Sequence, residues 1–331
     1  MKRFKRKEHN NATISNTNDT FQVDNNNNDN DNNNNTNQDD EEILSSSTTA
    51  ATYYEENNNN HEKQKEQQPP RKGIGFASDI GLARSTDEDS IVILDLMTSF
   101  EGKKRRKVML ILADGMGGHS KGEVASKIGV RTLATELYRF LGDADMNDEK
   151  YYDLFTKAFS VANWHILRYA DTHPEAEGMG TTISLAVIDE NEQLYIGNVG
   201  DSRVYVMNRE EGAIQLTKDH TLVQELVDKG EITKEEARSH PKKDVLNQAV
   251  GYFADVKVDT CSLCLDDSDY VLLCCDGLIN HVSDDEIKQI VLNNNGNPQE
   301  ACDKLVALAD KRGGKDNISV IIAPANIIMR P

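Results

Sequence analysis

The order of its apolar segments predicts that this chain folds as an α+β domain of four layers, with antiparallel sheets covered by helix pairs. Three observations carry that prediction. Strand-like and helical stretches come in blocks (strands, a helix pair, more strands, a second helix pair, a last strand) and do not alternate as βαβ units would. Lys107–Ala113, KVMLILA, is apolar on both faces, which suits a central strand covered above and below. Residues 122–141 place Val130, Leu133, Ala134, Leu137 and Leu141 at i, i+3, i+4, i+7 and i+11, one face of a helix.

Residues 1–72 stand apart from this pattern. They have almost no apolar periodicity, and residues 25–35 are Asn and Asp only. Such a segment cannot bury enough apolar surface to offset its ordering entropy, so a disordered tail is expected there. The globular domain is expected over 73–331, long enough for a sizeable core. In it, GIGFASDIG and SIVILDL read as short strands on either side of a polar turn. KVMLILA follows, then a Gly-rich turn at Asp114–Gly118. The helix at 122–141 pairs with a second at about 148–171, whose Phe155, Ala158, Ala162, Ile166 and Tyr169 share one side. TTISLAVID, QLYIGNVG and RVYVM are the next strands, the last two joined across Gly200, Asp201 and Ser202 in an expected hairpin. Residues 220–240 read as a polar helical excursion. Strands at 255–264 and 269–275 precede helices near 283–293 and 298–312, and NISVIIA closes the domain.

The formal net charge of −19 argues against a nucleic-acid partner, because phosphate backbones are bound through an excess of Lys and Arg. No apolar run approaches the length of a membrane span. MKRFKRK at the start is basic but lacks a following apolar stretch, so it is read as the charged end of the tail and not as a secretory signal. A nuclear-import or anionic-membrane patch is the alternative. Cys261, Cys264, Cys274, Cys275 and Cys302 are odd in number and have apolar neighbours, which points to reduced thiols in an intracellular compartment, cytoplasmic or nuclear. A zinc ribbon would need two well-separated knuckles, and a thiol phosphatase would need Cys and Arg in one phosphate loop. Neither arrangement is present, so core packing is the reading of all five.

The chemistry lies in four aspartates at the ends of apolar runs: Asp114 in LILADGMGG, Asp201 in IGNVGDSRVY, Asp276 in VLLCCDGL and Asp316 in GGKDNISVII. Each stands beside Gly, Ser or Asn at a strand end. Hard divalent cations take carboxylate, carbonyl and water oxygens, so the set reads as a site for Mg²⁺ or Mn²⁺. SDIGLARSTDEDS adds Glu88 and Asp89 before a strand, with Arg84 as its one basic residue, a planar fork suited to two phosphate oxygens. ADGMGGHSKGE is neither a dinucleotide fingerprint, which would need Gly at Ser120, nor a P-loop, which would need Lys-Ser/Thr after Gly122. Taken singly, each of these motifs is more often a turn than a ligand.

Taken together and in this order, SDIGLAR, DGMGGH, the Gly180-Thr181-Thr182 opening, GDSR, CDGL and KDNIS resemble the metal-dependent protein serine/threonine phosphatases of type 2C. The resemblance runs from Gly73 to about Pro324, and the pairing of SDIGLAR with DGMGGH is similar to the bacterial-like branch. It implies two packed antiparallel sheets flanked by helix pairs, with a centre of two Mn²⁺ or Mg²⁺ ions and a weaker third at one end of the sandwich. It implies that Asp114 bridges both ions and the Gly115 carbonyl binds one, while Asp276 and Asp316 hold the other. Asp201, with Asp276, would contribute to the third. Glu88 and Asp89 would hold metal-bound waters, Asp89 being counted with the ligands, and Glu88 and Asn317 would support the set. Arg84 would orient the phosphoryl group for in-line attack by an activated water.

The implied activity is hydrolysis of phosphoserine and phosphothreonine in phosphorylated proteins by a monomer. The alternative is a pseudophosphatase that binds phosphoproteins as a scaffold, and a metal-dependent phosphodiesterase ranks behind both. Residues 220–245 would form a mobile flap beside the site. Two positions depart from the family's pattern. Met116 stands where many relatives carry His, so the general acid is open, and His119 is not the equivalent position. Asp87 stands where relatives often have Asn.

Overall fold

The computed structural model describes residues 73–100, 102–117, 121–140, 146–294 and 296–328. The expected tail, Leu141 and His119 lie outside them. Among the described residues the strands are β1 (Gly75–Asp79), β2 (Asp89–Phe100), β3 (Lys103–Met116), β4 (Gly180–Thr181), β5 (Ile183–Ile188), β6 (Gln193–Val199), β7 (Arg203–Asn208), β8 (Gly212–Gln215), β9 (Asp259–Cys264), β10 (Tyr270–Cys274) and β11 (Ile318–Pro324). The α-helices are α1 (Gly122–Tyr138), α2 (Asp148–Thr172), α3 (Leu222–Asp228), α4 (Lys234–Ser239), α5 (Asp276–Ile279), α6 (Asp284–Asn293) and α7 (Pro298–Lys311).

Two sheets result, one in the order β1-β11-β10-β7-β8 and the other β2-β3-β5-β6-β9, with β4 added beside β3. Neighbouring strands are antiparallel throughout. The period of two along β3 builds the layers. Val108, Leu110 and Leu112 enter the core between the sheets, with Val204, Val206, Leu273 and Ile321. Met109, Ile111 and Ala113 point the other way, into the core under α1 and α2 with Leu133, Phe155, Phe159 and Ile166. A third core joins Leu272, Cys274 and Ile322 to Ile287, Cys302 and Leu305 of α6 and α7. The arrangement is the four-layer α+β sandwich that the block order implies.

Helix starts follow local chemistry. The Asn147 side chain accepts from the Lys150 N–H at 2.9 Å and opens α2. Ser283 and Glu286 form a capping box at α6, and Asn297 caps α7 with Pro298 in its first turn.

Two expectations are overturned. Cys264, read as core packing, is exposed, because it ends β9 at the edge of the second sheet. Gly200, Asp201 and Ser202 are not a hairpin turn, because β6 lies in the second sheet between β5 and β9 while β7 lies in the first, between β10 and β8. Ile196 of β6 and Val204 and Val206 of β7 all belong to the core between the sheets, so the turn is a corner joining two layers. The hairpin partner of β7 is the short β8. The excursion at 220–240 is two short helices, α3 and α4, parted by a turn with Gly230 at φ 71°. β2 and β3 are longer than their apolar runs, pairing from Asp89 opposite Asp114 to Phe100 opposite Lys103.

Leu110 is 0% exposed between the sheets, whereas Leu82 is 72% exposed. Leu110→Ala is therefore expected to cost roughly 2–5 kcal/mol of stability and Leu82→Ala less than about 0.5 kcal/mol. Urea unfolding of the two variants checks this, and equal losses would contradict the layer assignment.

Candidate metal centre and active site

Strand ends and the turns beyond them bring the acidic motifs together. Asp89 opens β2 and faces Asp114 directly across the β2–β3 pair. Asp276 opens α5 immediately after β10, Asp316 sits just before β11, and Asp201 follows β6 at the corner between the sheets. One side-chain oxygen from each of Asp89 and Asp114 lies within 4.8 Å of the other and of the Cys275 sulfur.

The small residues beside the aspartates have steric reasons. A Cβ on Gly115 would run into the carbonyl oxygens of Gly122 and Glu88, and one on Gly277 into the carbonyl of Asn317. Asn317 is the joint of the loop carrying Arg84. Its Oδ1 accepts the Glu88 N–H at 2.9 Å, and its Nδ2 donates to the carbonyls of Ile80 and Thr86 at 2.9 and 3.0 Å. The Gly314 carbonyl accepts from Leu82 and Ala83 and ties the same loop down. Asp316 accepts the Asn317 N–H with Oδ1 and the Arg84 guanidinium, at 2.8 Å, with Oδ2. Arg84 also stands 3.6 Å from Glu88. Asp114 is held by its backbone, with its N–H on the Thr182 hydroxyl and its carbonyl accepting from the Thr182 N–H and the Thr181 hydroxyl.

Burial pushes the Asp114 carboxyl well above its ordinary value, and Asp89, Asp276, Asp201 and Asp316 push it further. Asp201 is raised by burial and by Asp276 and Asp219. Asp276 is raised by burial, Asp316 and Asp244, and Glu88 is raised by burial against the pull of Arg84. Burial raises Asp89 too, opposed by the nearby Ser319 hydroxyl and Cys275 thiol. Both Asp89 oxygens are nonetheless sealed from solvent without a partner at hydrogen-bond geometry. Mutually repelling carboxylates with orphaned oxygens are what hard divalent cations neutralise, so the residues fit such ions.

The structure thus gathers Glu88, Asp89, Asp114, Gly115, Asp201, Asp276, Asp316, Asn317 and Arg84 at one end of the sandwich. Residues 220–246 stand beside them, pinched at the base by a bridge between Thr221 and Leu246. Lys234, Arg238 and Lys243 share a groove of about 490 Å³ with Asp201 and Asp276. Two features escape a reading by sequence. Cys275, assigned to packing, is buried beneath Asp89 and Asp114, accepting the Ser319 N–H at 3.1 Å and donating to the Asn317 carbonyl. Thr181 and Thr182, visible only as a strand opening, fix Asp114. Met116 ends β3 and carries no proton to give.

A family profile described as Protein phosphatase 2C matches residues 94–308. The serine/threonine phosphatase stp of Listeria innocua is 36% identical over 255 residues, 77% of this chain and 96% of that protein. The chain belongs to the protein phosphatase 2C family. Solved phosphatases agree in fold. Stp1 from Staphylococcus aureus superposes with a TM-score of 0.66 at 33% identity, covering 78% of this chain and 95% of that one. The catalytic domain of the serine/threonine phosphatase PstP, solved with two manganese ions, gives 0.62 at 32% identity over 76% and 96%. This phosphatase 2C acts on phosphorylated serine and threonine in proteins, and its family is metal-dependent. Nothing in these matches speaks for the scaffold alternative. Among the described residues no helix is long and apolar enough to cross a membrane.

The raised carboxyls set a pH dependence for the metal-free phosphatase. Their folded values exceed the unfolded value of about 4, so the folded state binds more protons and loses stability as pH rises above that value. The melting temperature of EDTA-treated protein should fall between about pH 5 and pH 8, and Mn²⁺ should raise it most at the upper end. A melting temperature that climbs across this range without metal would contradict the electrostatics described here.

Proposed function

We propose that the gathered carboxylates hold two Mn²⁺ or Mg²⁺ ions and a weaker third. The observation that carries this reading is the cluster itself, half-buried acids with two orphaned Asp89 oxygens and Arg84 at the rim. Asp114 and the Gly115 carbonyl would serve one ion, Asp114, Asp276 and Asp316 the other, and Asp201 with Asp276 the third. Glu88 and Asp89 would orient bound waters, while Asn317 keeps the Arg84 loop against Asp316. The manganese pair of the PstP catalytic domain supports the metal and the count. When bound, such ions supply an activated water and offset charge on the phosphoryl oxygens.

Arg84 is anchored by one amino group on Asp316, which leaves further donors of its fork for two phosphoryl oxygens. A phosphoryl group held there would face the carboxylate cluster, with the ester oxygen directed away from it for in-line attack. The groove beside residues 220–246 would take the peptide flanking the phosphorylated residue. The catalytic domain is taken as 73–331. Five free cysteines support an intracellular site of action.

Asp114→Asn and Asp276→Asn are each expected to lower Mn²⁺-dependent turnover of p-nitrophenyl phosphate and phosphopeptides by about 100-fold or more. Arg84→Ala should lower kcat/KM about tenfold or more, with part of the loss in kcat because the phosphoryl group is no longer oriented. Steady-state assays with and without EDTA test the reading, which turnover undiminished by the chelator would refute.

A further inference from the structure

The corner that carries Asp201 is clamped by a residue with no place in the site described above. Gly200 has φ 107°, and a Cβ there would collide with the Thr182 side chain at 2.5 Å, so the corner is built for glycine. Both backbone groups of Gly200 are taken by His220. The Gly200 N–H donates to His220 Nδ1 at 3.2 Å, and the His220 N–H donates to the Gly200 carbonyl at 3.0 Å. That carbonyl also accepts from the Asn198 side chain at 3.3 Å.

Because Nδ1 receives a proton donor, it must present its lone pair. The ring is then the neutral Nε2–H tautomer, and Nε2 meets Asp259 Oδ2 at 3.1 Å. Asp259 opens β9 at the edge of the second sheet, so the imidazole is oriented from a rigid element. On its other side His220 roots the flap. Its carbonyl accepts the Asn247 N–H at 2.9 Å, and the next residue, Thr221, bridges to Leu246. The opposite side of the corner touches the centre, since Ser202 shares a 2.7 Å hydrogen bond with the Thr182 hydroxyl that receives the Asp114 N–H.

We infer that His220 is a positioning residue, which locks the Asp201 corner to the root of the flap and so sets the affinity of the weaker third ion. The proposal rests on reading Asp201 as a ligand of that ion. His220 touches neither substrate nor metal; it acts through Gly200. An Ala at this position would leave the Gly200 N–H without its acceptor and free the corner to turn Asp201 away from Asp276. Losses of about 10- to 100-fold in metal affinity are usual when the group orienting a ligand is removed.

The test uses the full chain and four variants: His220→Ala, His220→Asn, His220→Gln and Asp201→Asn. Asn keeps an acceptor at the position of Nδ1. Gln keeps a donor at the position of Nε2 and has no δ acceptor. Mn²⁺ binding is measured by calorimetry, and exchange of the peptide spanning 195–205 is followed in metal-free protein. The expected result is a weakest Mn²⁺ step about tenfold weaker or more in His220→Ala and His220→Gln, with the tighter steps unchanged. Exchange at Gly200 and Asp201 should be faster in the same two variants, and His220→Asn should restore both readouts. The kcat lost at low Mn²⁺ should return at high Mn²⁺ with KM for phosphopeptide unchanged.

If Asp201→Asn weakens the last step while His220→Ala and His220→Gln match the wild type, the clamp is refuted and the reading of Asp201 survives. If Asp201→Asn itself leaves every step unchanged, both fall. Should His220→Ala fail to fold, the Asn and Gln variants decide alone, and identical behaviour of those two overturns the proposal.

Discussion

The structure is organised around groups that repel one another. Asp89, Asp114, Asp201 and Asp276 are each raised by burial and each feel at least one of the others, yet the chain holds them at one end of the sandwich. Side-chain forces alone would drive them apart. Backbone hydrogen bonds do the holding: Thr181 and Thr182 on Asp114, and Asn317 on the loop that carries Glu88. Three apolar cores fix the strands from which these bonds are made. Cations held there would relieve this repulsion, and ion binding would then be linked to folding stability.

Much of this was legible before any coordinates. The alternation in β3, the helical spacing from Val130 to Leu137 and the block order of elements each reflect a period that burial imposes, so they survive in the chain as pattern. The aspartates were legible because a carboxylate at the end of an apolar run is costly unless something uses it. What escaped had no local signature. Gly-Asp-Ser suits a hairpin and a corner equally, and the choice is made by which sheet takes β7, a decision written in β10 some 65 residues on. β8 is short and half-buried, with no alternation to read. The one-turn α5 is shorter than any periodicity can register. Cys275 and His220 matter through distant partners, Asp89 and Asn317 for the first and Gly200 and Asp259 for the second.

Hydrogen bonds between unrelated segments recur across the site. Asn317 speaks for residues 80–88, Thr182 for the corner at 200–202, and Arg84 reaches Asp316 from the other end of the domain. No single segment contains a working piece. That distribution explains why each motif, read by itself, looks like an ordinary turn, while their order along the chain is informative.

The placement of β11 has a bearing on biosynthesis. It is the last strand among the described elements, yet it lies inside its sheet, flanked by β1 and β10. Without it β1 has no strand partner, the third core lacks Ile318, Val320 and Ile322, and Asp316 with its attendant Asn317 is absent. A chain that has not yet added β11 therefore lacks one carboxylate of the cluster and an inner strand of its first sheet. One strand thus completes the first sheet, the third core and the carboxylate cluster together.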